Sequence, residues 1–175
     1  MPDRQPTETR NLDRYGNPPL SWARARNLLE TAPQGPSGGF FLATANSAGR
    51  PHAAGVGVVV HDGDLYFTSG PGTRKSRDLK ANPTCSIAVK LAGMDLTLDG
   101  EAVTVTDPST VETLAARYRD LGWPAHVDGS AFTAPYSAPS AGPPPWNLYR
   151  FTYTKVVGLS TADGDGATLW RFGQV

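Results

Sequence analysis

The chain has 175 residues, enough for one domain with a real core, and 39% hydrophobic against 18% charged residues is ordinary for a globular protein. Its 16 basic and 16 acidic residues cancel, so no global field draws it to nucleic acid or to an anionic membrane, and any anion site must be local. A lone cysteine, Cys85, excludes an internal disulfide and a multi-cysteine zinc site; lying in an apolar run, it reads as a packing residue.

Residues 1–19 are polar and proline-bearing, with no apolar stretch of signal-peptide type, and read as an extended arm ahead of one domain, 20–175. No segment reaches the roughly 20 apolar residues that a membrane span needs, so a cytoplasmic protein is expected. Ser21 caps a helix predicted over Trp22 to Thr31, with Trp22, Ala25, Leu28 and Leu29 on one face, and the Gly/Pro-rich stretch Pro33 to Gly39 ends it. Strands are predicted at Phe40–Asn46, Pro51–His61 and Asp64–Ser69, the last two joined by Asp62-Gly63, the strongest turn signal in the chain. The period then changes: Thr73–Ala81 reads as a helix stopped by Asn82-Pro83. Strand character returns at Thr84–Leu91 and Asp95–Thr106. Asp107 and Pro108 open a helix to about Leu121. Trp123–Trp146 is a long Pro/Ser/Ala/Gly loop, too long for a mere connector, and strands at Leu148–Thr154, Val156–Thr161 and Thr168–Phe172 finish the chain. The expected class is mainly antiparallel β with a few short helices, a barrel rather than a doubly wound sheet.

The segment that carries chemistry runs from Leu65 to Lys80. A strand enters the Gly-rich turn Gly70-Pro71-Gly72, which opens a helix on Thr73-Arg74-Lys75-Ser76. Free N–H groups, the positive end of the helix dipole, the hydroxyls of Thr73 and Ser76 and the cations of Arg74 and Lys75 share one turn, a composition suited to a phosphate monoester. A solvated, capped helix has the same spacing, and composition alone does not choose. The Gly-x4-Gly-Lys-Ser/Thr spacing of a nucleotide P-loop is absent, as are the Gly-x-Gly-x-x-Gly of a Rossmann site and the Gly-x-Ser-x-Gly elbow of a hydrolase.

The order Phe41-Leu42-Ala43-Thr44, Gly49-Arg50-Pro51-His52, Leu65-Tyr66-Phe67-Thr68-Ser69, Thr73 through Pro83, and Asp99-Gly100-Glu101-Ala102 resembles the pyridoxamine phosphate oxidase-like split-barrel superfamily, over about Phe40 to Phe172. The resemblance implies a homodimer with the cofactor at the subunit interface. Residues matching Thr68, Ser69, Thr73, Arg74 and Lys75 would hold its ribityl and phosphate parts, with Ser76 in the same turn. The strand that begins Pro51, His52, Ala53, Ala54 would lie beside the isoalloxazine ring. The second-strand Arg and Lys of true pyridoxamine phosphate oxidases are missing here, as is their C-terminal Arg-x-His, so pyridoxamine phosphate is not the expected substrate. With its Trp170-Arg171-Phe172 ending the chain is closer to the actinobacterial branch that uses the deazaflavin F420, with FMN the near alternative. Arg77 and Lys80 would meet a long acidic tail, and Trp146 or Trp170 would wall a pocket or pack in the core. The implied reaction is hydride transfer between F420 or FMN and a small organic substrate, with no protein nucleophile required.

Two other functional classes remain at this stage: a carrier or sensor of the same fold that binds FMN, F420 or haem without turnover, and a barrel that binds a polyanion through its basic helix. His52 either faces the ring or stands on the strand surface; His61 is expected to be exposed, and His126 has no ligand partners for a metal. Asp163 and Asp165 read as a solvated turn, and Arg117 and Arg119 as an exposed helical face.

Overall fold

The structure is a computed structural model that describes residues 4–136, 141–162 and 166–173. Its elements run β1 (Glu8–Asn11), α1 (Trp22–Thr31), β2 (Gly35–Ala45), β3 (Pro51–His61), β4 (Asp64–Ser69), α2 (Arg74–Ala81), β5 (Thr84–Leu91), β6 (Met94–Thr104), α3 (Pro108–Asp120), β7 (His126–Asp128), β8 (Ala131–Thr133), β9 (Trp146–Ser160) and β10 (Ala167–Arg171). Strands β9, β4, β3, β2, β5 and β6 pair antiparallel in that spatial order, and β6 returns to β9 to close a barrel. β10 extends the sheet from β9, and β1 pairs outside β10, so part of the N-terminal arm forms a strand. The acidic pair Asp163 and Asp165 lies outside the described residues.

Local chemistry sets most boundaries. Ser21 accepts from the Arg24 N–H at 3.4 Å to start α1, and the Asp107 carboxylate accepts from the Thr110 N–H at 2.8 Å to start α3, with Pro108 at its first position. Asp62 and Gly63 both take positive φ between β3 and β4, as a tight hairpin of right-twisted strands requires. Inside the barrel Phe40, Leu42, Val58, Leu65, Phe67, Ile87, Leu98, Phe151 and Val156 form the core, which also encloses Cys85. Burial pushes that thiol up to about 12, which leaves no reactive thiolate near neutral pH.

Three expectations change. The strands predicted at Leu148–Thr154 and Val156–Thr161 are one strand, β9: its partner runs from Asp99 opposite Lys155 to Gly100 opposite Tyr153, so Thr154 is the extra residue of a bulge, and there the inward alternation slips. Gly100 faces this bulge, and a Cβ on it would collide with the Thr152 carbonyl oxygen. β2 begins at Gly35, inside the stretch read as a breaker, with a register shift between Gly35 and Phe40. The long loop contains the hairpin β7–β8, which docks on the start of β9.

Candidate functional site

β4 ends at Ser69, and the Gly70-Pro71-Gly72 turn delivers the chain into α2. Thr73 is the N-cap; its Oγ1 accepts from the Ser76 N–H at 3.3 Å. The hydroxyls of Ser69, Thr73 and Ser76 form a triangle of 2.8, 2.9 and 3.1 Å, and Thr73 Oγ1 lies 2.9 Å from the Gly70 carbonyl. Ser69 and Ser76 are buried, so the cluster is built inward and its members satisfy one another. The Gly70 N–H donates to the Ala141 carbonyl at 3.0 Å, and a Cβ at Gly70 would collide with that oxygen. The Ala141–Pro145 stretch therefore roofs the turn, enclosing about 310 Å³ between them.

The two cations of the turn differ. Arg74 keeps 44% of its side chain exposed; Nη2 donates to the Pro51 carbonyl at 3.2 Å, and Nε stands 3.8 Å from the Asp78 carboxylate. Asp78 is buried and accepts from Thr44 Oγ1 at 2.9 Å, and Thr44 is the cross-strand partner of His52. Lys75 is only 4% exposed, and burial holds its ammonium below the ordinary lysine range. Arg74, Asp78 and Thr44 thus tie α2 across β2 to the first residue of β3.

At that end the barrel is split. β3 pairs with β4 only from Val59 to His61, and with β2 from Pro51 onward, so β4 leaves the edge of β3 between Pro51 and Val56 uncovered. The pleat divides the four β3 residues expected at the ring: His52 and Ala54 are half-buried on the inward side with Val56, while Pro51 and Ala53 are exposed on the outer face. His52 Nδ1 is buried without a hydrogen-bond partner among the described residues.

Of the residues expected at the site, Pro51, His52, Ser69, Thr73, Arg74, Lys75 and Ser76 are brought to the α2 end of the barrel by these contacts. Thr68, half-buried, is next to Ser69 on β4. Lys80 lies on the other flank of α2, lining a separate cleft with Ser76 and Leu79. Trp170 is fully buried, its ring 5.5 Å from that of Trp22, and takes the core alternative. Trp146 is fully buried too and donates from Nε1 to the Gly142 carbonyl at 2.9 Å, so it anchors the roof. His61 is half-buried rather than exposed, edge-on to Tyr66 and 3.5 Å from the Asp62 carboxylate, because the tight turn folds it back on β4. Asp78, Thr44 and the roof were missed. The Arg74 to Asp78 spacing of four residues was a usable helix-pair signal; the contact with Thr44 had none.

An inward hydroxyl cluster beside a guanidinium thus lies next to an uncovered strand edge carrying an imidazole nitrogen with no partner among the described residues. The pyridoxamine 5'-phosphate oxidase family model matches residues 36–160, and the chain belongs to that family. No curated protein matches it. Among solved structures, an FAD-binding protein from Mesorhizobium loti is similar at 22% identity and a TM-score of 0.55, over 79% of this chain and 94% of that one. A structure described as an F420 reductase is similar at 21% identity and a TM-score of 0.52, over 75% and 94%. A haem-binding protein from Mycobacterium smegmatis is similar at 18% identity and a TM-score of 0.55, over 77% of this chain and 52% of that one. These likenesses establish a shared fold. No helix among the described residues is long and apolar enough to cross a membrane.

Proposed function

We propose that the chain is a reductase that works as a homodimer and carries F420, or failing that FMN, transferring hydride between the cofactor and a small organic substrate. The observation that carries this reading is the split between β3 and β4: an open backbone edge at Pro51–Val56 beside the only exposed cation of the Thr73–Ser76 turn. When bound, the cofactor supplies the hydride chemistry. The chain's own part is to hold and orient. Arg74, kept in place by the Pro51 carbonyl and Asp78, meets the phosphate; Thr73, Ser69, Ser76 and Lys75 shape the floor beneath it; His52 turns its free nitrogen toward the ring system. The stretch of β3 from Ala53 to Val60 carries neither the Arg nor the Lys of true pyridoxamine phosphate oxidases, and the fold is shared with an F420 reductase as well as with an FAD-binding protein.

The outer face of the barrel supports the dimer. Phe41, 56% exposed, pairs with Gly55 on one side and Ala88 on the other, and Ala43 pairs with Ala53, all of them exposed. A flat patch of small apolar residues around one phenyl ring suits a second copy of the same sheet.

The test is titration of ligand-free protein with F420 and with FMN, followed by quenching of tryptophan fluorescence. Micromolar binding to F420, weakened about tenfold or more in Arg74→Ala, is the expected result, because a charge-assisted phosphate contact is lost. Binding followed by no oxidation of the reduced cofactor with electron-poor alkenes would move the protein to the carrier reading; no binding to either would overturn the proposal.

A further inference from the structure

Helix α2 has a second flank that the cofactor site does not use. Along it Lys80, Pro71 and Pro83 line a cleft of about 600 Å³ together with the buried Leu79 and with Ser76, which the hydroxyl cluster shares, and Val103, Thr104 and Asn147 form its other side. That size is within the range of small-molecule sites. The composition is specific. Val103 is a large apolar residue left 44% exposed at the end of β6, and with Pro71 and Pro83 it offers an apolar surface. Lys80 is the one charged side chain among the described residues that line the cleft, and no carboxylate among the described residues pairs with it. The Thr104 hydroxyl and the Asn147 amide add polar donors. Pro71 belongs both to this cleft and to the cavity under the Ala141–Pro145 roof, so the cleft opens beside the Gly70–Thr73 turn.

We propose that this cleft is a second ligand site, apart from the cofactor site, and takes an organic carboxylate, its apolar body against Val103 and Pro83 and its carboxylate at Lys80 Nζ. The binding of the anion does not rest on the reductase reading. A ligand that is apolar along its length and anionic at one end matches both features of the cleft, whereas a neutral or cationic ligand leaves the ammonium without a partner.

Calorimetry on the cofactor-free protein separates the two claims, with naphthalene-carboxylate and naphthalene-methanol as probes. The carboxylate is expected to bind about fivefold tighter than the alcohol at low salt, as one solvent-accessible ion pair supplies. Lys80→Gln should abolish that preference while keeping the alcohol's affinity, and Val103→Asp should weaken both probes. Equal affinities in the native chain, a preference that survives Lys80→Gln, or no binding of the carboxylate overturns the proposal. Both positions are exposed, so the variants should fold, and circular dichroism checks this. Failure of F420 and FMN titrations with the carboxylate preference intact would sink the reductase reading and leave the anion subsite standing.

Discussion

Two helices, α1 and α2, both pack on the barrel, and they bury different chemistry. α1 turns Trp22, Ala25 and Leu29 inward, the apolar stripe of an ordinary amphipathic helix. α2 buries Lys75, Ser76 and Asp78 along with Leu79. Burying polar groups costs free energy unless each finds a partner, whereas burying Trp22 returns it. On α2, Ser76 bonds Ser69 and Thr73, and Asp78 bonds Thr44, so this helix is held by polar contacts where α1 is held by apolar ones, and under the proposed function the α2 end is the one that meets ligand.

The strongest way to break that division is at Trp22. Its ring packs 4.7 Å from Phe172 and 5.5 Å from Trp170, and its Nε1 donates to the Arg4 carbonyl at 2.9 Å. Trp22→Ala should cost about 3–5 kcal/mol in denaturant unfolding. At temperatures where the variant stays folded, cofactor affinity should be unchanged. A matching loss of affinity would mean that the two ends are coupled.

At the α2 end the expected stability effect is smaller. Asp78→Ala leaves the buried Thr44 hydroxyl without its acceptor and should cost about 1–3 kcal/mol. Asp78→Asn keeps an acceptor at that place and should cost less. Unlike Trp22→Ala, both variants should also loosen Arg74 and weaken cofactor binding, since Arg74 is held between Asp78 and the Pro51 carbonyl. Unchanged affinity in Asp78→Ala would remove Asp78 from the site.

What could be read without coordinates follows the same division. The α1 cap and face, the Asp62-Gly63 hairpin and the α3 start are local chemistry, and each is found where the residues place it. The bulge at Thr154 and the early start of β2 were illegible, because a bulge reverses the alternation that announces a strand, and glycines that permit one look like a break. The grouping of Thr73 and Ser76 in one turn was readable from spacing, whereas Ser69 came only from the resemblance. The sorting of His52 and Ala53 onto opposite faces follows from the pleat. The Thr44–Asp78 bond, the roof over Gly70 and the burial of Lys75 depend on segments far apart in the chain, and no local pattern announces them.

The finest test of the contrast is Lys75, a charged group that α2 turns inward. Its ammonium titrates below the ordinary 10.5 in the fold because burial disfavours the charged form, so the unfolded chain holds this proton more tightly than the native one. Stability should therefore rise with pH between the lowered native value and 10.5. Lys75→Met keeps the aliphatic stem and removes the charge. The pH-dependent rise should be absent from this variant, so the native chain gains stability relative to it as pH climbs toward 10.5, in paired denaturant melts across that range. The variant should also bind the phosphorylated cofactor more weakly. A variant whose stability follows the same pH course as the native chain would show that Lys75 is not held below the ordinary lysine range, and α2 would then differ from α1 in composition alone.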